Sequence, residues 1–187
     1  MKSYSLLEQH PARPAGACEL PFSETYSAHA IEPKANGCRG LFNQDTGIGY
    51  NRHGQVSFSH NLMAERLKGC GIKSRWIDCE IMGRREKKGL GTIIIIDAFD
   101  LENPKPYAER VQEFEHITPA PFDLPTNALL RMPRLDHSRL KQIWEEMNAQ
   151  NVGGLVWEGF VMKNDNRYPA ISKPTYCSHE WHKYRFL

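Results

Sequence analysis

The chain has 187 residues, 40% of them hydrophobic and 25% charged, with a formal net charge of +2. This is a globular composition, and its near-neutral balance excludes a strongly basic coat protein while leaving room for a local basic track. No apolar run approaches the ~18 residues of a membrane span, and no apolar signal core follows Met1. The five cysteines lack paired spacing and read as reduced thiols, so a cytoplasmic protein with no membrane partner is expected.

Residues 1–27, rich in proline and small side chains, read as an irregular lead-in, and residues 28–187 as one domain. Residues 28–32 then read as a strand that delivers Lys34. Pro33 biases Glu32 toward extended backbone and fixes its own φ. Gly37 lets the chain turn sharply or approach a ligand closely. A free lysine, with a pKa of about 10.4, is a poor nucleophile at neutral pH, and burial or a nearby cation such as Arg39 lowers that value. Read by itself, Pro33-Lys34-Ala35-Asn36-Gly37 is equally an ordinary surface turn.

Short strands are expected at 41–43, 48–52 and 55–58, with a turn at His53-Gly54. Asn61 caps a helix that Gly69 ends, with Leu62, Met63, Arg66 and Leu67 at helical spacing. Residues 75–83 form a strand whose period of two puts Trp76, Asp78 and Glu80 on one face and Ile77, Cys79 and Ile81 on the other. Carboxylates in such a setting need a cation, a metal or ligand hydroxyls, unless the strand is a hydrogen-bonded edge. Arg84-Arg85 and Lys87-Lys88 read as a solvated hairpin tip or a phosphate-backbone contact. Beyond the Gly89-Leu90-Gly91 turn, four consecutive isoleucines predict a strand buried on both faces, pairing antiparallel so that Glu80 and Phe99 become neighbours.

Residues 104–117 read as a helix with Tyr107, Val111 and Phe114 inward, and 129–132 as a short strand. Asp136 caps another helix that buries Leu140, Ile143, Trp144 and Met147. Gly153-Gly154 ends it. The apolar strand 155–163 carries Glu158 and Lys163, and a glutamate in such a run needs a cation. Cys177, His179 and His182 lack a second cysteine pair at finger spacing, so no zinc site is expected.

Lys34-Ala35-Asn36-Gly37-Cys38-Arg39 resembles the KxDGxR motif of covalent nucleotidyltransferases, the ATP-dependent polynucleotide ligases and mRNA capping enzymes, with Asn36 where aspartate is commoner. Further resemblances follow in the family's order. Glu32 resembles the ligase glutamate that reads the adenine amino group. Arg52-His53-Gly54 is similar to the (S/T)RxG element, whose arginine engages nucleic acid. Asp78-Cys79-Glu80 resembles motif III, which would put Glu80 on the ribose; Cys79 stands where glycine is usual. Phe99-Asp100 resembles motif IIIa, whose aromatic stacks on adenine. Glu158 to Lys163 resembles EGxxxK, with Glu158 on the metal and Lys163 on phosphate. Lys183 and Arg185 resemble the motif V cations, with arginine in place of the second lysine.

The resemblance implies an α+β fold of antiparallel sheets with flanking helices, an ATP-grasp-like nucleotidyltransferase domain of the ligase and capping-enzyme type with no OB-fold domain. It implies ATP with Mg²⁺ or Mn²⁺ as cofactors, catalysis by Lys34 through lysyl-AMP, and a monomer. The partner would be a nucleic acid with 5′-phosphate and 3′-hydroxyl ends, with an accessory clamp protein as one way to make good a missing OB-fold. Tyr107-Ala108-Glu109-Arg110 after Phe99 leans toward DNA nick sealing, hence DNA repair. The alternatives are a minimal RNA ligase, a GTP-using capping-type guanylyltransferase, and a non-catalytic nucleic-acid-binding module with a decayed site.

Overall fold

The computed structural model describes residues 14–17, 30–83, 88–150, 156–164, 168 and 178–185, and at 14–17, 150, 178–180 and 185 it describes the backbone. Gly153-Gly154, Arg84-Arg85, Lys87 and Cys177 lie outside these residues.

Strand propensity and alternation build two sheets. Among the described residues, one sheet has four strands in the order β1 (Pro14–Ala17), β10 (Ser178–Arg185), β9 (Trp157–Lys163), β2 (Ala30–Ala35). The other has six, in the order β5 (Val56–Ser59), β4 (Ile48–Tyr50), β3 (Cys38–Asn43), β6 (Trp76–Ile81), β7 (Ile93–Phe99), β8 (Leu129–Arg131). The expectation of antiparallel sheets needs correcting: β1 runs parallel to β10 and β8 parallel to β7, so both sheets are mixed. A strand at Pro14–Ala17 also lies within the segment read as an irregular lead-in.

The isoleucine run is buried on both sides, as its lack of alternation predicts. Ile93 and Ile95 pack with α1 (Leu62–Lys68) and α2 (Tyr107–Gln112) through Leu67, Val111 and Phe114. Ile94 faces the opposite core, with Ile31, Phe160 and Met162 of the four-stranded sheet and Leu140, Ile143 and Met147 of α3 (Leu140–Gln150). In β6, Ile77, Cys79 and Ile81 join the first of these cores, while Trp76 turns to a third cluster between the sheets.

The helices differ in detail from their sequence patterns. Asn61 caps α1 by accepting from Met63 N and Ala64 N, but Leu62 is exposed and Ala64 takes its place inside. The helix expected over 104–117 shrinks to Tyr107–Gln112. Beyond it the bonds tighten to i→i−3 steps, such as Phe114 N to Val111 O at 3.1 Å. Tyr107, Val111 and Phe114 are nevertheless buried. Asp136 caps a single 3₁₀ turn, His137–Arg139, that leads into α3.

Candidate active site

Lys34 sits within β2, and its position is set by a bulge. Pro33 pairs with Phe160 and Ala35 with Trp157, so two steps on β2 match three on β9. The extra residue places Glu158-Gly159 against Lys34, and Gly159 at φ 132° occupies backbone that favours glycine. Lys34 Nζ donates to Glu158 Oε1. The pair is partly screened, with side chains 19% and 14% exposed. The glycine of the EG dipeptide thus serves the geometry that aims its glutamate.

Arg39 on β3 lies, with Lys34 and Glu158, within electrostatic reach of Glu80. Its Nε donates to Asp78 Oδ1 at 2.8 Å and its Nη2 to Asp78 Oδ2, a bidentate pair with the aspartate fully buried. Asp78 also accepts from the Tyr168 hydroxyl at 2.5 Å. Arg39 is therefore held by β6 as well as by its own strand. Glu80, two residues along that strand, lies in the electrostatic reach of Lys34, Arg39, Asp78 and Glu158. Cys79 points away from these groups and donates its thiol to Gly40 O at 3.3 Å, so its replacement of glycine leaves the site untouched.

Gly37 closes the turn between Lys34 and Arg39 against β6. A Cβ there would lie 2.6 Å from Ile81 O and 2.8 Å from Glu80 Cγ. Gly37→Ala is therefore expected to destabilise the fold by about 1–3 kcal/mol, checked by thermal melting.

Burial pushes the Glu80 carboxyl up to about 7, against the pull of Lys34 and Arg39. The folded chain therefore binds this proton more tightly than the unfolded chain, whose value is near 4.5. The associated stability is complete below that value and is lost as pH rises to about 7. Glu80→Gln removes the penalty for ionisation. Its melting temperature should exceed the parent's at about pH 8, with the gap narrowing toward about pH 5.

A second cluster is ionic as well. Glu32, 2% exposed, accepts from the Tyr107 hydroxyl and from Lys163 Nζ at 2.7 Å. Lys163 also donates to Ile96 O at 2.9 Å and lies 4.4 Å from the Trp181 ring centroid. Beneath them Arg110 makes a bidentate pair with Asp97, both bonds 2.9 Å. Phe99 lies under Tyr168, ring centroids 3.5 Å apart and planes 9° from parallel.

The structure thus brings Lys34, Glu158 and Arg39 around Glu80 and seats Glu32 and Lys163 on each other. Lys183 pairs with Val161 across β10 and β9, one alternation from Trp181. Arg185 is described in backbone, opposite Gly159. Arg52 is not brought in: it is exposed on a turn, its Nε donating to His53 Nε2 at 2.9 Å. The expected proximity of Glu80 and Phe99 is corrected. Phe99 faces Trp76, while Glu80 faces Ile94, because the connection closes with Met82 N on Thr92 O and so sets Phe99 four residues back along β6 from Glu80. Sequence reasoning missed Asp97, Arg110 and Tyr168; Asp78 had a visible signal in sharing a strand face with Glu80.

Carboxylate oxygens of Glu158, with Glu80 nearby, suit a hard divalent cation. Mg²⁺ usually takes one or two carboxylates together with substrate phosphate. Among the described residues, no three or more His, Cys, Asp or Glu side chains form a metal-holding group. Among them, too, no helix is long and apolar enough to cross a membrane.

No family model matches the chain, and no curated protein matches it in sequence. Solved structures do match. Chlorella virus DNA ligase-adenylate superposes with a TM-score of 0.57 at 14% identity, over 93% of this chain and 67% of that one. A Lig E DNA ligase, described as binding DNA with a minimal scaffold, gives 0.55 at 9% identity over 93% and 69%. An archaeal ATP-dependent RNA ligase gives 0.52 at 17% identity over 94% of this chain and 48% of that one. The chain has the fold of the adenylyltransferase domain of ATP-dependent DNA and RNA ligases.

Proposed function

We propose that the chain is the adenylyltransferase domain of an ATP-dependent polynucleotide ligase, with Lys34 as the residue that takes AMP. The observation that carries this reading is the bulge-set pairing of Lys34 with Glu158, with Glu80 and Arg39 in electrostatic reach of each other beside it. A lysine held among groups able to bind a nucleoside and a cation has the makings of a nucleophile.

In this reading Lys34 Nζ attacks the α-phosphorus of ATP. The P–N bond forms, the P–O bond to the β-phosphate breaks, and pyrophosphate leaves. Lys34 rests on Glu158 as an ion pair, so the pair must open and the proton leave before attack. Glu158 would hold Mg²⁺ or Mn²⁺, which supplies charge neutralisation at the phosphates. In this role assignment Lys183 and Arg185 would serve the phosphates, Glu80 and Arg39 the ribose, and Phe99 the base. Lys163, seated on Glu32, serves the base end of the site. AMP then passes to a 5′-phosphate end, and a 3′-hydroxyl displaces it to seal the strand.

The test is incubation of the purified chain with Mg²⁺ and ATP labelled at the α-phosphate. Label that survives denaturing electrophoresis supports the reading, and its absence overturns it. Preferential labelling from GTP would move the assignment to a capping-type guanylyltransferase. Nicked duplexes whose flanking ends vary between DNA and RNA then identify the substrate. Nicked DNA is the favoured form; RNA is the second reading, on the likeness to the archaeal RNA ligase.

A further inference from the structure

Glu32 can distinguish adenine from guanine only if it is ionised and correctly aimed. Adenine presents an amino donor where guanine presents a carbonyl acceptor, so a carboxylate attracts one and repels the other. A buried carboxylate held by nothing would take up a proton and lose that discrimination. What holds Glu32 decides whether it can read a base.

Two groups hold it. Lys163 Nζ, on β9, donates to Oε2 at 2.7 Å. The Tyr107 hydroxyl, from the first residue of α2, donates to Oε1. Tyr107 is 3% exposed and is itself fixed: the Lys163 ammonium stands 4.7 Å from its ring centroid and the Arg110 guanidinium 5.6 Å. Arg110 is anchored to Asp97 and, through Nη1, to Lys105 O at 2.5 Å. A carboxylate has about four lone-pair directions, so these two donors leave acceptor capacity for an exocyclic amine.

We propose that Tyr107 is a positioning residue that sets the base selectivity of the nucleotide site by aiming Glu32. The inference rests on the proposed function, in which Glu32 meets the base of ATP. The charged and titratable groups facing Glu32 are Lys163 on β9, Tyr107 on α2 and Asp97 on β7. Burial pushes the Glu32 carboxyl up; Lys163 and Tyr107 pull it down, and Asp97 raises it. Burial also drives the Tyr107 phenol well above its ordinary value, so it remains a donor throughout the neutral range.

The experiment measures initial rates of covalent nucleotide transfer to the full chain from ATP and from GTP across pH, for the parent, Tyr107→Phe, Glu32→Gln and the double variant. Tyr107→Phe should raise KM for ATP about tenfold, with kcat changed less than about twofold, the size of a lost hydrogen bond to a charged group. The ATP-over-GTP preference should fall by a similar factor. The acidic limb of the 1/KM profile should move to higher pH, because Glu32 loses a group that pulls its carboxyl down. In the Glu32→Gln background, Tyr107→Phe should leave the preference unchanged.

A merely structural tyrosine would lower the melting temperature and leave the preference and acidic limb in place, and that result overturns the proposal. An equal effect of Tyr107→Phe with and without Glu32 does the same. Should Tyr107→Phe not fold, Tyr107→His keeps a ring N–H donor: preference retained supports the proposal, preference lost ends it. Failure of the parent to label with ATP ends the functional reading itself. Normal labelling with an unmoved preference in Tyr107→Phe ends only this inference.

Discussion

Lys34→Ala is expected to abolish covalent transfer of AMP, with no label retained on the denatured chain. The reason is stoichiometric: the phosphoramidate needs an amine, and alanine has none. Lys34→Arg separates chemistry from scaffold. A guanidinium can keep an ion pair with Glu158 but is protonated at any working pH and is not a nucleophile. The arginine variant should therefore melt close to the parent and still take no label. Because the pair is partly solvated, the alanine variant should lose only about 1 kcal/mol of stability. Intact mass spectrometry after incubation with ATP and Mg²⁺ measures the first outcome. A gain of one AMP by either variant would move the nucleophile elsewhere.

The second large effect concerns folding. Asp97 is fully buried and Arg110 is 1% exposed. Asp97 accepts both guanidinium bonds and also the amide of Ala98 at 2.8 Å. The guanidinium lies between two rings, 5.6 Å from the Tyr107 centroid and 5.9 Å from that of Tyr168. Removing one partner strands a charge with no water near it. Asp97→Ala or Arg110→Met should each cost about 3–5 kcal/mol, a fall in melting temperature on the order of 10 °C for a chain of this size. The double variant Asp97→Leu/Arg110→Met should recover most of the loss, since an apolar pair of similar volume fits such a site. Urea melts of the three variants measure this. Single variants within about 1 kcal/mol of the parent would show that the pair carries little.

The sequence made local features legible and left long-range ones dark. The caps at Asn61 and Asp136, the two faces of β6 and the two-sided burial of the isoleucine run all follow from residues a few positions apart. The register error follows from where the hairpin closes. The place where β6 and β7 close on each other, Met82 N on Thr92 O, sets Phe99 beside Trp76 rather than Glu80, and nothing in a run of four isoleucines marks that place. The parallel pairing of β8 with β7 and of β1 with β10 depends on crossovers that period-two patterns do not encode. The likeness of Glu158–Lys163 to EGxxxK implies Lys163 on phosphate. In the folded chain it is 0% exposed among Glu32, Tyr107 and Trp181, contacts that no strand period encodes. Tyr168 had no periodic neighbour to announce it; only the folded chain brings it to Asp78 and Phe99.

On the proposed reading, in which Phe99 meets the base, the face-to-face contact of Tyr168 with Phe99 bears on nucleotide capture. A purine laid on that side of Phe99 competes with a phenol already there, so loading is an exchange of one flat partner for another. Swapping two stacks of similar strength yields little net attraction. Affinity must then come from the polar groups at the edges of the base and along the phosphates, and trimming the Tyr168 ring would unmask the share that the exchange conceals.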